Sequence, residues 1–458
     1  MPFLLLIAGC VDLTLAPTDE VWDGAYFRTL GDFRAATIGI YDQMSIADWY
    51  GRSLPLLADQ MGEDVKLSGS SGRYQEFHNF EGQTVTSHGY ATELWAEIYE
   101  AVNMANHIIN ATYEPPDAVR VEFDQLVGEA HAARALAYFD LVRMFGQHYT
   151  FTADASHPGV PIVLESDPTL RPARNTVAEV YEQVVSDFTV AIDRMTTARG
   201  GPFMFTREAA QALLSRVYLY MEDFGSVIAM ANAVIGSGKY SLVEGQAYID
   251  QFADGGSSEA IFEMQSTDTD NRGSDSLGGM YRASGYGDFL PAKDLLDRID
   301  PADIRWQMFV EDPLLVGIYA SHRVNKWPTR ANTDNVPVIR LSEVYLNRAE
   351  AYVLSGNDAA AQADLDRIRQ RGLATAPPVT ATGQALLDEI LLERRIELGY
   401  EGHRVFDITR HRLDVVRTDC TSDVCFYGYP GPYFILPIPW AEIKANPNIQ
   451  QNPGYAGA

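Results

Sequence analysis

Apolar positions recur at three- and four-residue steps over much of the chain. Residues 92–111 set Leu94, Ile98, Val102, Ala105 and Ile109 along one face, which predicts an amphipathic helix. Trp95 and Tyr99 share that helix and read as core. The pattern returns over 123–146 with Leu126, Ala130, Ala133, Leu136, Ala137, Leu141 and Met144, and stops at Gly146. Thr176 precedes a third run, 177–195, and Glu179 three places on completes a capping box. Thr206 opens a helix over 206–223, and a shorter one over 225–236 ends in Gly236-Ser237-Gly238. Residues 341–355 stop at Gly356-Asn357, 358–371 begin after that break, and a helix over 383–400 follows. Alanines at 349, 351, 359, 360 and 363 let the pair 341–355 and 358–371 approach closely. With Tyr352 and Gly356 this pair resembles a tetratricopeptide unit.

The stretches 92–146 and 177–236 have the same cadence as 341–400. Such pairs bury their apolar faces only against neighbours, so stacking them makes a curved scaffold. The expected fold is mostly α, with tetratricopeptide-like helix pairs packed against a loop-rich irregular lobe of few short strands. That lobe draws on Gly-, Ser- and Pro-rich stretches at 48–90, 147–175, 253–290, 312–340 and 411–458. Loops this long inside a domain usually carry function. The division is then a tether over 1–20 and a single domain over 21–458. Its ligand-side loops lie at about 48–90 and 253–340, and a closing segment at 411–458.

Composition narrows the partners. Hydrophobic residues make up 46% of 458 positions, enough for a sizeable core. The formal net charge is -27, which repels phosphate backbones and excludes nucleic acid as a partner. Lysine occurs only at 66, 239, 293, 326 and 444, so arginine carries nearly all the positive charge. No apolar run reaches the roughly 20 residues of a membrane helix. Leu6 to Cys10 (Leu-Ile-Ala-Gly-Cys) reads as a lipobox, whose cysteine carries a lipid after cleavage. The other reading of Cys10 is an ordinary buried cysteine near the terminus. The residues ahead of it are too few and uncharged for a full export signal. Cys420 and Cys425 fit a local disulfide first, free thiols second and a metal last, since only His411 lies near.

Candidate catalytic patterns fail on inspection. Gly238-Lys239 lacks the partner glycine of a phosphate loop, and Tyr240 stands where Ser or Thr is needed. Asp268, Asp270 and Gly273 suggest a calcium loop, but Arg272 and Gly279 occupy ligand positions. A weaker oxygen site there, holding a structural calcium ion, stays open; no other cofactor is expected. Glu63-Asp64 could form a glycosidase pair, although 62 acidic residues make such pairs common. The chain reads as a binding protein, not an enzyme.

The aromatic inventory says more. Trp49, Tyr50 and Arg52, Arg73 and Tyr74, Tyr281 and Arg282, Tyr286 and Trp327 sit in polar, Gly-rich sequence. Aromatic faces stack on sugar rings, and arginine holds their hydroxyls. The competing reading is that each ring pins its own loop to the core. Singly, each is better explained by the second reading; as a group they suggest a ligand surface.

Three segments resemble the SusD/RagB family of outer-membrane nutrient-binding lipoproteins. The first carries Val338, Arg340, Glu343, Leu346, Asn347, Ala349, Glu350 and Ala351. The second carries Glu393, Arg394, Arg395, Glu397, Glu401, Gly402, Arg404 and Asp407, and the third Phe434, Pro437, Pro439, Glu442 and Asn446-Pro447. Asp300, Asp303 and Arg305 resemble the family's step before the later loops. Arg394, Glu397, Glu401 and Arg404 alternate in sign at helical spacing, which predicts ion-pair ladders ended by Gly402.

The resemblance implies four tetratricopeptide-like pairs and a surface lipoprotein held through Cys10. It further implies capture of a glycan and delivery to a SusC-like TonB-dependent transporter, over which the protein closes as a lid. Other readings keep the lid but change the nutrient to a peptide, or make the chain a ligand-silent scaffold.

Overall fold

The computed structural model describes residues 26–69, 72–82 and 89–455. Cys10 and the tether over 1–20 lie outside the described residues. The predicted helices form within a few residues of their expected bounds. Helix α1 spans Leu30–Ser45, α2 Ser53–Gln60, α3 Gly89–Ile109 and α4 Arg120–Phe145. Helix α5 spans Val177–Arg194, α6 Arg207–Tyr220, α7 Phe224–Gly236 and α8 Gln246–Asp254. Helix α9 spans Leu341–Leu354, α10 Asp358–Gly372, α11 Gly383–Glu397 and α12 Arg404–Arg410.

Each long helix packs on the next in a continuous row: α1 on α3, α3 on α4, α4 on α5, α5 on α6 and α6 on α7. Helix α7 then packs directly on α9, and α9 on α10 and α11. Helix α4 is the centre of this row. From Gln125 to Phe145 only His131 escapes full burial, so its seven predicted core positions are a subset of what it hides. A helix buried on all sides needs neighbours all round, and α1, α3, α5 and α6 supply them. The capping box at the start of α5 is present. The Thr176 hydroxyl accepts the Glu179 amide at 3.2 Å, and the Glu179 carboxylate accepts the Thr176 amide at 2.8 Å.

The chain leaves the helical row after α7 and returns at α9. The excursion, with parts of 48–82 and 411–455, forms the irregular side. Its strands pair two by two, all antiparallel: β1 (Val65–Leu67) with β3 (Phe289–Pro291), and β2 (Ala260–Met264) with β6 (Val336–Arg340). The other pairs are β4 (Phe309–Glu311) with β5 (His322–Val324), and β7 (Val415–Val416) with β8 (Phe426–Tyr427). Cys420 and Cys425 form a disulfide in the β7–β8 connection, with Cα atoms 5.5 Å apart.

The predicted ladder along 394–404 does not form. Helix α11 ends at Glu397, so Glu401 and Arg404 lie beyond it, and the four residues pair with other elements. Arg394 reaches Asp407 at 3.4 Å and Asn347 at 2.7 Å. Glu397 accepts from Arg305 at 3.1 Å and also pairs with Arg340 and Arg371. Glu401 accepts from Arg340 at 2.8 Å and pairs with Lys326. Arg404 donates to Glu63 at 3.1 Å, and Arg395 joins Asp294 at 2.8 Å. These side chains are buried, and a buried charge needs its partner at hydrogen-bond distance, wherever that partner lies in sequence. Gly402 does not end α11 either. It takes φ +86°, and a Cβ there would meet the Pro55 Cα at 2.5 Å, so it brings this loop against α2. Asp59 of α2 clamps the loop by accepting the backbone N–H groups of Gly402, His403 and Arg404 at 2.8, 3.2 and 3.2 Å.

Candidate functional site

The irregular side brings three loops together near β1 and β3. Arg73 comes from the first, Tyr286 and Asp288 from the second, and Tyr319 from the third, which leads into β5 with Arg323. The Arg73 guanidinium stacks on the Tyr286 ring, 3.6 Å from its centroid, and donates to Asp288 at 3.0 Å. Asp288 is itself buried and its carbonyl accepts the Ser68 amide at 2.9 Å, tying the first loop to the second. Arg323 ties the third to the second by donating to the Gly287 carbonyl at 2.6 Å, while its Nε holds Asp312 at 3.0 Å. Gly69, at φ +79°, lies flat against the Tyr319 ring, where any Cβ would collide. Tyr90, at the start of α3, stacks on Tyr74 at 3.8 Å and 13°. Burial pushes the Tyr90 hydroxyl pKa up against the pull of Arg52 and Arg73.

Tyr90, Tyr286 and Tyr319 are all part-exposed. With Arg73 and Arg323 they make a surface of ring edges and guanidinium groups. That arrangement can stack on an apolar face of a ligand and donate hydrogen bonds to its oxygens.

Of the residues singled out in the sequence, only Arg73 and Tyr286 belong to this surface. Trp49, Tyr50, Tyr74, Tyr281 and Trp327 are core residues, 5% exposed or less, and present no face to a ligand. Trp49 donates to buried Asp140 at 3.0 Å. Tyr281 meets Tyr400 edge-on at 5.4 Å, and Trp327 meets Phe252 edge-on at 6.2 Å. Arg52 is buried between Asp48 (2.7 Å) and Asp275 (3.1 Å). Arg282 is buried against the Trp327 carbonyl (2.9 Å) and Asp334 (2.6 Å). These rings join the same buried core as the helices, and the larger rings of the Gly-rich loops are spent on it. Tyr90, Tyr319, Arg323 and Asp288 went unselected. Tyr319 has a sequence signal, since it ends the exposed apolar run Leu314-Leu315-Val316-Gly317-Ile318.

Among the described residues no group of three or more His, Cys, Asp or Glu could hold a metal ion. None of their helices is long and apolar enough to cross a membrane.

Residues 230–455 match the model of the SusD family, and residues 38–219 match one described as starch-binding, associating with the outer membrane. A solved SusD superfamily structure from Bacteroides thetaiotaomicron superposes with a TM-score of 0.86 at 30% identity, covering 93% of this chain and 100% of that one. The chain belongs to the SusD family. Another SusD superfamily structure, from Bacteroides vulgatus, gives a TM-score of 0.83 at 29% identity over 94% of this chain and 100% of that one. A SusD-like protein of Formosa agariphila is 26% identical over 510 residues, 99% of this chain and 98% of the relative. The starch-binding protein SusD of Bacteroides thetaiotaomicron is 32% identical over 163 residues, 33% of this chain and 25% of that protein. The SusD signature at 393–407 is therefore a set of buried ion pairs that fix α11, α12 and α2 together.

Proposed function

We propose that this SusD-family chain is a cell-surface glycan-binding lipoprotein. It captures an oligo- or polysaccharide without turnover and passes it to a partner TonB-dependent transporter in the outer membrane. The observation that carries the reading is the Tyr90–Tyr286–Tyr319 surface with Arg73 and Arg323, in a fold whose family is described as starch-binding. Partly exposed tyrosines offer rigid stacking area at low entropic cost, and the guanidinium groups donate to ring hydroxyls. Cys10 is the proposed lipid site.

Isothermal titration of the protein against a panel of neutral and acidic polysaccharides tests the reading. Saturable binding with no product release over hours supports it, and a blank panel would sink it. Loss of labelled-lipid incorporation in Cys10→Ser tests the anchor separately, and copurification with an outer-membrane barrel tests the transporter.

A further inference from the structure

A cleft opens at the seam between the helical row and the C-terminal segment, and it shares no lining residue with the Arg73–Tyr286–Tyr319 surface. It lies where the segment after α4, the approach to α5 and the C-terminal segment meet, and its volume is about 540 Å³. None of the described residues lining it is an aspartate or glutamate, in a chain with 62 of these against 35 Lys and Arg. Its one guanidinium, Arg174, is bound only by carbonyls. Nε donates to Gly159 at 2.7 Å, Nη1 to Gln450 at 3.1 Å, and Nη2 to Phe145 at 3.2 Å and Pro158 at 3.1 Å. One Nη1–H is left over. Among the described residues Arg174 pairs with no carboxylate, unlike Arg340, Arg394, Arg395 and Arg404 of the core. Burial without a counter-charge lowers its pKa to about 10.

Two acids stand beside the rim, and hydrogen bonds hold both ionised, so Arg174 must outweigh them for an anion to bind. Asp154 accepts the Ser156 amide at 3.2 Å, and Glu179 accepts the Thr176 amide at 2.8 Å. The N-terminus of helix α5 also borders the cleft through Asn175 and Thr176, but its first amides are already bound: Val177 donates to the His157 carbonyl at 2.9 Å, Ala178 to the Ala155 carbonyl at 3.0 Å and Glu179 to the Thr176 hydroxyl at 3.2 Å, so the preference for an anion rests on Arg174. The remaining walls include apolar rings (Phe151, Pro158, Pro430, Pro432), the His157 imidazole and side-chain amides (Gln147, Asn448), of which Asn448 donates to the Arg171 carbonyl at 2.7 Å. Flat apolar walls beside amides suit a sugar ring, and an uncompensated guanidinium suits an oxyanion on it.

We propose that this cleft binds a sugar ring carrying an oxyanion, either the carboxylate of a uronic acid or a sulfate ester, with the oxyanion held by Arg174. The site is separate from the Arg73–Tyr286 surface, so it stands or falls independently of binding there.

The test is isothermal titration of the full chain with three oligosaccharides of matched length: a galacturonate trimer, a sulfated galactose trimer and the neutral galactose trimer. The expected result is at least tenfold tighter binding of one or both anionic trimers than of the neutral one, weakening as salt is raised. Whichever anionic trimer binds names the oxyanion. Arg174→Gln should lose at least tenfold. Because Arg174 also ties three segments together, Ser156→Glu serves as the second variant. It adds a carboxylate at the exposed rim, should lose the anionic trimer to a similar degree, and should keep the melting temperature. Equal affinity for all three trimers, no binding of either anionic trimer, or full anionic affinity in a folded Ser156→Glu variant would each overturn the proposal.

Discussion

Arg73 and Tyr286 form a stacked pair at 3.6 Å, held from below by the buried Asp288 carboxylate at 3.0 Å from Arg73. Both side chains are part-exposed, and Tyr286 packs only at the edge of the core. Tyr286→Ala is expected to weaken glycan binding at least tenfold, worth about 1.4 kcal/mol, while moving the melting temperature by no more than about 2 °C. Titration and thermal unfolding of the same preparation check it. Unchanged affinity in this variant would remove Tyr286 from the ligand surface.

Trp327 is the opposite case. It is fully buried against Phe252, and its carbonyl anchors Arg282. Trp327→Ala should cost roughly 3–5 kcal/mol of stability through the cavity it leaves. Urea unfolding reads this directly. A loss under about 1 kcal/mol would mean that the loop carrying Trp327 is not packed as described.

Glu397 lies among Arg305, Arg340 and Arg371, fully buried. Burial pushes its carboxyl pKa up, but the three guanidinium groups overcome this and hold it well below the ordinary carboxylate range. Glu397→Gln keeps the shape and removes the charge, leaving three buried cations short of one anion. The expected cost is about 3–5 kcal/mol. Denaturant midpoints would show it, and an unchanged midpoint would mean that the three guanidinium groups do not depend on this carboxylate.

His403 gives a pH dependence. Burial lowers its pKa from 6.5 to about 4, with Glu343 3.8 Å away opposing the shift and Arg216 and Arg394 adding to it. The unfolded chain therefore takes up the proton first. The stability His403 contributes is complete above pH 6.5 and is lost as pH falls from 6.5 towards 4, by up to roughly 3 kcal/mol. Asp59 runs the other way. Its pKa is raised by burial to about 7 despite three backbone donors, so its contribution is lost as pH rises from 3.8 towards 7. The measurement is thus the difference between wild type and His403→Gln in unfolding free energy across pH 4–7. The gap should narrow as pH falls, and a gap independent of pH would reject the buried neutral histidine.

The helical half was legible because its signals are local. Thr176 with Glu179, the stop at Gly146 and the break at Gly356-Asn357 each mark a boundary through contacts a few residues long. Helix α2 was not legible. All eight of its residues are buried, so it shows no apolar stripe against a polar face. Helix α1 does carry a buried stripe (Leu30, Phe33, Thr37, Ile40, Met44) at helical spacing. The charges at 394–404 were visible, but their partners lie up to 341 positions away, as with Arg404 and Glu63, and no spacing rule reaches that far. The candidate surface was half legible for a related reason. Aromatic residues in Gly-rich sequence mark either a ligand face or a loop core, and only packing separates Tyr286 from Trp327.

Helices α7 and α9 touch directly, although about a hundred residues separate them in sequence, and β2 and β6 pair at the neck of that excursion. The helical row therefore closes on itself at the point where the excursion leaves and returns. Tyr286, Asp288, Tyr319 and Arg323 all lie in the excursion. Descendants of this chain could rewrite the exposed parts of one side of the recognition surface within a single stretch of gene, provided that Asp294, Arg305 and Lys326 stayed to meet Arg395, Glu397 and Glu401.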